Sequence, residues 1–409
     1  DDMDQDTLAN PDNPEYKRNR ITTLSLVVLC QGFNMLSFNG ISLFLPLIRK
    51  DLGLSFTQGG TLAAAATVIY ALMQIPAGYL TDRFGSKRLY FIGILGTCTL
   101  SFTFGLVTEY WQAIANQLLV GFFRAFLFMP VLVLLSGWFP SNRRATAIGL
   151  SAFGTFWGGV LLGLGGPVLV ASFGWRFPFL AFAPLGIIAA FAFLRFGKSP
   201  PSVIPNKIPI REVFKLFRYK VMWLCGGLQY VRLAVTQGIM FWLPSFLIDE
   251  KGMALGVVGL IMVVRATLQA SSNVIGGYLS DRLKNPTLVI GGALIILAIT
   301  SGLFSVADGM VLLITLICIN ALVIRSYFGP LFSIPIDALG TKVAGVTGGF
   351  SNSFANVGSF SSVYIMGLLK DTTGGFDTGF FVVSGIALIG LVFTILLAQI
   401  RHEVIVQEA

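Results

Sequence analysis

Twelve continuous apolar runs dominate this sequence of 409 residues. A helix needs roughly 20 apolar residues to cross a bilayer, and each run is long enough to do so. Because the runs are continuous rather than alternating, they predict membrane-spanning helices and exclude a membrane β-barrel. These runs, called spans 1 to 12, cover about residues 21–47, 57–80, 89–108, 112–138, 144–170, 175–196, 221–247, 254–279, 287–306, 310–335, 343–368 and 378–400.

Charged residues are scarce in the chain as a whole. Charged residues make up 11% of the chain, whereas soluble domains carry about 25%. This shortage excludes an ordinary soluble enzyme and a nucleic-acid-binding protein, although the formal net charge is +9. We therefore predict an all-α membrane protein whose surroundings are the lipid bilayer.

Catalytic and metal-binding residue types are missing from the apolar core. The only histidine, His402, lies close to the end of the chain, and all four cysteines lie inside apolar runs. No pairing of a nucleophile with a base and no set of metal ligands is available in the spans. We predict that the protein is not an enzyme and uses neither a metal nor another cofactor.

The longest polar stretch divides the chain into two halves of six spans each. The predicted organisation is an N-terminal tail of residues 1–20, a first half of 21–197, a middle loop of 198–220, a second half of 221–400 and a tail of 401–409.

The distribution of basic residues predicts the orientation of the chain. If both termini and the middle loop lie on one side, that side holds 19 Lys and Arg residues and the opposite side holds five. Cytoplasmic loops are the ones enriched in Lys and Arg. We therefore expect both termini in the cytoplasm and the protein in the inner membrane of a bacterium.

The two halves repeat each other at an offset of about 200 residues. The stretch from Gly78 to Arg83 matches the one from Gly277 to Arg282, and Gly174-Trp175 matches Gly375-Phe376. Because each half holds an even number of spans, the halves have the same orientation, as parallel repeats do. In such architectures the substrate site lies near the bilayer midplane between the halves.

The loop after span 2 resembles a known family signature. It contains Gly78, Asp82, Arg83, Gly85, Lys87 and Arg88 in the pattern G-x-L-x-D-R-x-G-x-(K/R)-(K/R) of the major facilitator superfamily. A degenerate second copy after span 8 contains Asp281 and Arg282. The resemblance covers the whole chain. It implies the major facilitator fold of twelve transmembrane helices, alternating-access transport and a monomeric state.

The same resemblance implies roles for the signature residues. Family precedent places the acid, here Asp82, against the start of span 11, where it holds the cytoplasmic side closed. We carry this over as a gating hypothesis for Asp82 and Arg83, while Lys87 and Arg88 also suit a loop that only sets topology. Other stretches, such as Trp138-Phe139-Pro140, resemble bacterial organic-anion symporters, but the Tyr-x-x-Arg of sugar-acid symporters is absent from span 1.

Four arginines lie deep inside apolar runs, namely Arg124, Arg232, Arg265 and Arg325 in spans 4, 7, 8 and 10. At 1.5 Å per residue they lie about 16 to 22 Å from the starts of their spans, near the middle of a core about 30 Å thick. No span carries an acid deep enough to pair with them, and a midplane Arg costs at least about 2.5 kcal/mol. A water-filled cavity, backbone carbonyls or a bound anion could satisfy these charges, and we predict an anion site. For Arg124 a structural or coupling role is an equal alternative.

Polar side chains accompany the arginines at helical spacing. Those predicted to contact substrate are Gln31, Asn34, Gln229, Gln269, Tyr327, Asn352 and Asn356. Asn and Gln also link helices within membranes, so each has a structural alternative. Aromatic residues such as Tyr70 are interpreted as packing or interface residues.

We therefore predict an alternating-access transporter of a small organic anion, with a carboxylate as the favoured substrate. A drug/proton efflux antiporter and a carrier of an inorganic anion such as nitrate are the alternatives, and a non-transporting receptor is the alternative from another class. Cation transport usually needs a membrane acid, and Glu109 and Asp337 are the acids nearest to the spans. Exchange or facilitated diffusion fits this shortage of acids, although a proton or sodium ion could still be coupled.

Overall fold

The fold is that of a computed structural model, which describes residues 14–139, 141–200, 218–283, 285–307, 309–327, 331, 334 and 344–408. Within these ranges the regular secondary structure is helical, as the apolar runs predict.

Each predicted span contains a helix, and the helices are numbered after the spans. α1 and α7 each include a five-residue π-helical turn, Leu36–Gly40 and Phe246–Glu250 respectively. The helices are α1 (Pro14–Met35, then Ile41–Leu52), α2 (Phe56–Phe84), α3 (Ser86–Phe104), α4 (Tyr110–Trp138), α5 (Ser141–Phe173), α6 (Arg176–Phe196), α7 (Lys220–Ser245), α8 (Leu255–Leu283), α9 (Pro286–Val306), α10 (Met310–Val323), α11 (Ala344–Thr373) and α12 (Asp377–Glu408).

Eight helical segments of the described part are long and apolar enough to cross a membrane, and α10 is a shorter apolar helix. The apolar run predicts that span 10 continues to residue 335, but the α-helix that begins at Met310 ends at Val323, and helix is described again at Leu331 and Ile334. At the end of α10 the Ser326 N–H and Ser326 Oγ both donate to the Val323 carbonyl, at 2.9 and 2.8 Å. A serine hydroxyl that bonds the backbone in this way competes with helix continuation.

The described helices group into two compact units. The first unit holds the chain up to Leu52 together with Val68–Asn206, and the second holds Gly53–Thr67 together with the chain from Lys207. The first turns of α2 thus belong to the second unit, although they lie in the first half of the sequence.

Each unit contains a close crossing of two helices at a glycine. A Cβ atom on Gly158 of α5 would lie 2.2 Å from the Gly32 carbonyl oxygen of α1. In the second unit, a Cβ atom on Gly358 of α11 would lie 2.2 Å from the Tyr230 carbonyl oxygen of α7. Small residues let membrane helices approach in this way. The two crossings occupy matching positions in the two halves, which supports the predicted duplication.

An aromatic corner is also repeated. In the first unit, Phe179 packs against Phe44 and Phe104 at ring-centroid distances of 6.1 and 5.2 Å. In the second unit, Phe380 packs against Phe246 and Phe304 at 4.9 and 5.4 Å. Aromatic pairs in this distance range contribute about 0.5–1.5 kcal/mol beyond their buried area. Each corner therefore anchors the sixth helix of its half.

Beside each corner, an acid at the end of the first helix of the half bonds the start of the sixth helix. In the first unit, Asp51 accepts hydrogen bonds from Arg176 at 2.6 Å and from the Trp175 indole at 3.3 Å. In the second unit, Glu250 forms an ion pair with Lys370 and accepts a hydrogen bond from the Phe376 N–H at 2.8 Å.

The start of α2 is held inside the second unit by α11. The two oxygens of Asp371 accept the Phe56 and Thr57 N–H groups at 2.9 and 2.6 Å. Burial acts to raise the pKa of Asp371, but hydrogen bonds from Thr57, Phe56 and Ser55 outweigh it and hold this pKa below its ordinary value. A carboxylate at a helix N-terminus satisfies N–H groups that have no partner within the helix.

The cysteines are free thiols. Cys30, Cys98 and Cys225 are buried, and Cys318 is half-buried. They pack as small apolar residues.

Candidate anion site

The candidate site of the second unit centres on Arg265 in α8. Arg265, Gln269 and Ser272 follow one another at spacings of four and three residues, so they share one face of the helix. All three are buried, and Arg265 is only 2% exposed. Its Nε and Nη2 atoms have no hydrogen-bond acceptor in the described part of the protein, and the same holds for Nε2 of Gln269. This face of α8 therefore carries buried hydrogen-bond donors that could bind the acceptor atoms of a ligand.

Arg325 meets the same face of α8. It follows the end of α10, and its backbone N–H donates to Ser272 Oγ at 3.2 Å. Its side chain is exposed, and its charge lies close enough to those of Arg265 and Arg232 to interact with both. The irregular backbone after Val323 is thus what brings Arg325 to α8.

α7 contributes Arg232, Gln229 and their neighbour Tyr327. The Arg232 Nε–H donates to Gln229 Oε1 at 2.6 Å, which fixes the guanidinium on the helix surface. Tyr327 is fully buried beside Arg232, and its hydroxyl has no hydrogen-bond partner among the described residues. Nε2 of Gln229 is also buried without an acceptor there.

These contacts and the shared face of α8 bring six of the predicted site residues into one group: Gln229, Arg232, Arg265, Gln269, Arg325 and Tyr327. In the ranges that the structure describes, the buried atoms of this group that lack partners are N–H donors, with the Tyr327 hydroxyl able to donate as well. A group with an excess of donors and positive charge is chemically suited to bind the oxygens of an anion.

The first unit contains a smaller polar group that the sequence indicates only in part. The Arg124 guanidinium lies over the Tyr70 ring, 5.1 Å from its centroid, in a cation–π contact. Gln74, one turn after Tyr70 on α2, is buried, and its amide interacts with the Tyr70 hydroxyl. From the sequence we interpret Tyr70 as a packing residue and do not name Gln74. Both could have been identified from the four-residue spacing of two polar side chains in an otherwise apolar span.

The other predicted contact residues lie on α1 and α11. Gln31 is half-buried at the crossing of α1 and α5, where its Cβ lies 2.6 Å from the place that a Cβ atom on Gly154 would take. Asn34 is buried. On α11, the Asn356 side chain donates to the Asn352 carbonyl oxygen at 2.8 Å. This contact lies within one helix, and Asn352 itself is half-buried.

The signature loop forms the junction of α2 and α3. Gly78, Asp82 and Arg83 lie in the last two turns of α2, and Gly85 has a φ of +86°, which few other residues adopt. Burial and the nearby Lys198 hold the pKa of Lys87 below its ordinary value, while Arg88 is exposed.

The second copy of the signature ends α8. Asp281 and Arg282 lie in its last turn, and the Arg282 guanidinium donates to the Tyr278 hydroxyl at 3.4 Å.

The two acids considered for ion coupling differ in what the structure describes. Glu109 is exposed at the start of α4 and accepts a hydrogen bond from the Trp111 indole. Asp337 lies outside the described residues.

Two repeated helical units, each with buried polar groups among apolar helices, are the architecture of many secondary transporters. The chain belongs to the Major Facilitator Superfamily, whose family profile matches residues 27–363. The predicted fold class is thereby confirmed, as is the prediction that the protein is a multi-pass membrane transporter and not an enzyme.

Curated relatives and solved structures agree with this assignment. A hexuronate transporter of Bacillus subtilis strain 168 is 22% identical, over 91% of this chain and 93% of its own length. A probable galactarate/D-glucarate transporter of Escherichia coli strain K12 is 25% identical, over 87% and 88%. A crystal structure of a bacterial homologue of the human lysosomal transporter Spinster shares the fold, with a TM-score of 0.79, 18% identity and coverage of 94% and 98%.

Proposed function

We propose that this protein transports a small organic anion by alternating access, and that a carboxylate of the substrate binds the arginines of the second unit. The proposal depends on the surroundings of Arg265. Its guanidinium is buried, and its Nε and Nη2 atoms donate no hydrogen bond to any of the described residues. Arg does not deprotonate in proteins, so its charge cannot be removed. A buried charge without a partner is costly, and a bound carboxylate supplies both the opposite charge and the acceptor oxygens.

The alternatives fit this arrangement less well. A cationic drug would enter a region that already gathers Arg232, Arg265 and Arg325, and spans 7, 8 and 10 carry no Asp or Glu deep enough to face it. Like charges at close range would oppose its binding. Relatives named as transporters of hexuronate and of galactarate or D-glucarate match 91% and 87% of this chain, whereas a probable nitrate/nitrite antiporter of Thermus thermophilus matches 72%. The longer matches support an organic anion over an inorganic one such as nitrate.

The experiment that tests the proposal is a ligand panel on purified protein. Melting temperature is measured with carboxylates, organic phosphates, nitrate and cationic drugs, and the best ligand is then used for counterflow in proteoliposomes. We expect carboxylates to raise the melting temperature and to drive counterflow. Stabilisation by cationic drugs alone would contradict the proposal, and binding without counterflow would indicate a receptor.

We also propose that Asp82 and Arg83 take part in gating on the cytoplasmic side. The family resemblance implies that the Asp82 carboxylate faces the N-terminus of the helix of span 11, and an anion is stabilising at a helix N-terminus. Neutralising Asp82 should therefore weaken this contact. Asp82→Asn is therefore expected to slow transport and to change the rates at which a membrane-impermeant thiol reagent labels single cysteines introduced on each side of the protein. Normal transport together with normal accessibility would reject the gating role.

The remaining parts of the proposal concern location and coupling. The excess of basic residues in alternate loops supports cytoplasmic termini, and the bacterial relatives support the inner membrane. Exchange of one anion for another, or facilitated diffusion, agrees with spans that lack a deep acid. We propose a monomer as the transporting unit.

A further inference from the structure

We infer that the site of the second unit is built for a substrate with two anionic groups, one bound by Arg265 and the other by Arg325. This inference rests on the proposed function and narrows its substrate class from carboxylates to dianions.

The first step is the relative placement of the two arginines. The Arg325 backbone is fixed to Ser272, and Ser272 lies seven residues after Arg265 on the same face of α8. At 1.5 Å per residue, the two guanidinium-bearing side chains start from points separated by about 10 Å along the helix. Their charges lie close enough to interact. The two guanidinium groups therefore belong to one site, but their backbone attachments lie at its two ends. A substrate with two acidic groups could bind one group at each end.

The second step is the difference between their environments. Arg265 is 2% exposed and has buried donor atoms without acceptors among the described residues, so it requires an anionic group that has been fully stripped of water. Arg325 has solvent-accessible surface although protein surrounds it on most sides, so an anionic group bound there would keep part of its hydration. A charged side chain in the middle of an apolar run is costly to place in contact with lipid, and it is stabilised when it contacts a polar substrate instead. Two such arginines at different depths match a substrate that is charged at both ends.

The third step is the balance of charge between Arg265 and Arg325. Their charges lie close enough to repel each other. A monocarboxylate would offset only one of these two positive charges. A dianion offsets both and so reduces the repulsion between the two guanidinium groups. The buried donors of Gln229 and Gln269 remain for uncharged oxygens between the two ends.

The experiment compares ligands that differ only in their second acidic group. D-Glucarate and D-gluconate form one matched pair, and succinate and butyrate form a shorter one. Dissociation constants are measured on the purified full-length protein by competition against the best ligand of the panel. We expect each dianion to bind about tenfold or more tightly than its monoanion, the scale of one charge-assisted hydrogen bond.

The matched variants assign the second group to Arg325. Arg325→Gln is expected to weaken dianion binding about tenfold while changing monoanion binding less than about twofold, and Arg325→Lys is expected to restore part of the preference. Arg195→Gln, at an exposed arginine of the first unit, is the control and is expected to change neither. The melting temperature without ligand verifies that each variant is folded.

The outcomes separate the two levels of the proposal. Equal binding of monoanions and dianions by the unmodified protein would overturn this inference and leave the proposed function intact. Equal weakening of both ligand types by Arg325→Gln would overturn the assignment of the second group to Arg325. Binding of no carboxylate of either type would overturn the proposed function itself.

Discussion

Arg265→Ala is expected to lower the affinity for the best carboxylate at least about 30-fold, because truncating one member of a buried hydrogen-bonded charge pair costs about 2 kcal/mol or more. Arg265 is 2% exposed, so its bond to a substrate would be fully desolvated. The measurement is the dissociation constant from titration of the purified protein, with counterflow as the second readout.

The stability of Arg265→Met, which keeps most of the side-chain volume, distinguishes a binding role from a structural one. Replacing a buried charge whose donors find no acceptor in the described chain by an apolar side chain of similar size should leave the ligand-free melting temperature unchanged or higher. A purely structural arginine would instead lower the melting temperature and leave affinity unchanged. Arg265→Lys keeps the charge but loses the planar fork, so intermediate affinity is expected. Arg195→Ala provides the exposed control.

Glu250→Ala is expected to destabilise the second unit by about 2–3 kcal/mol, because it leaves a buried lysine without its counter-ion. The side chain of Lys370 is 9% exposed and that of Glu250 is 21% exposed. The lysine ammonium also lies 5.2 Å from the centroid of the Phe56 ring and 4.9 Å from that of Phe376, in an aromatic surrounding that water reaches poorly. The loss is read as a lower melting temperature of the purified protein.

The first unit supplies a matched control for this effect. Asp51 holds the corresponding place, but its side chain is 43% exposed and that of Arg176 is 34% exposed. Exposed ion pairs contribute about 0–1 kcal/mol, so Asp51→Ala should lower the melting temperature clearly less than Glu250→Ala. In the double variant Glu250→Leu with Lys370→Met, the apolar replacement should recover much of the stability. An equal decrease in melting temperature in Asp51→Ala and Glu250→Ala would show that the burial of the ion pair does not determine how much it stabilises the protein.

Much of the fold was predictable because the bilayer restricts the solutions so strongly. A continuous apolar run can become only a helix when its backbone groups have no water to bond. The offset of about 200 residues also predicted the duplication, which appears again as the two aromatic corners around Phe179 and Phe380. The end of α10 was missed because the bonds from Ser326 to the Val323 carbonyl cannot be recognised in an apolar run.

The site was predictable to the extent that charge is conspicuous among apolar residues. Arg232, Arg265 and Arg325 were identified because no acid lies near them in the sequence. Gln74 was missed because a single neutral amide in a span differs little from a helix-linking residue. The membership of Gly53–Thr67 in the second unit was not predictable either, since hydrophobic periodicity does not reveal which neighbour a helix contacts.

The sheltered thiols have a practical consequence for following transport. Cys30, Cys98 and Cys225 are buried in the helix cores, and only Cys318 is half-buried, so a polar maleimide should react slowly with the native protein. A single cysteine introduced at an exposed position such as Thr108 would then label over a low background. Conformational changes could then be followed by the labelling rate of the introduced cysteine. Only Cys318 would have to be replaced, so the native packing around the other three cysteines would be preserved.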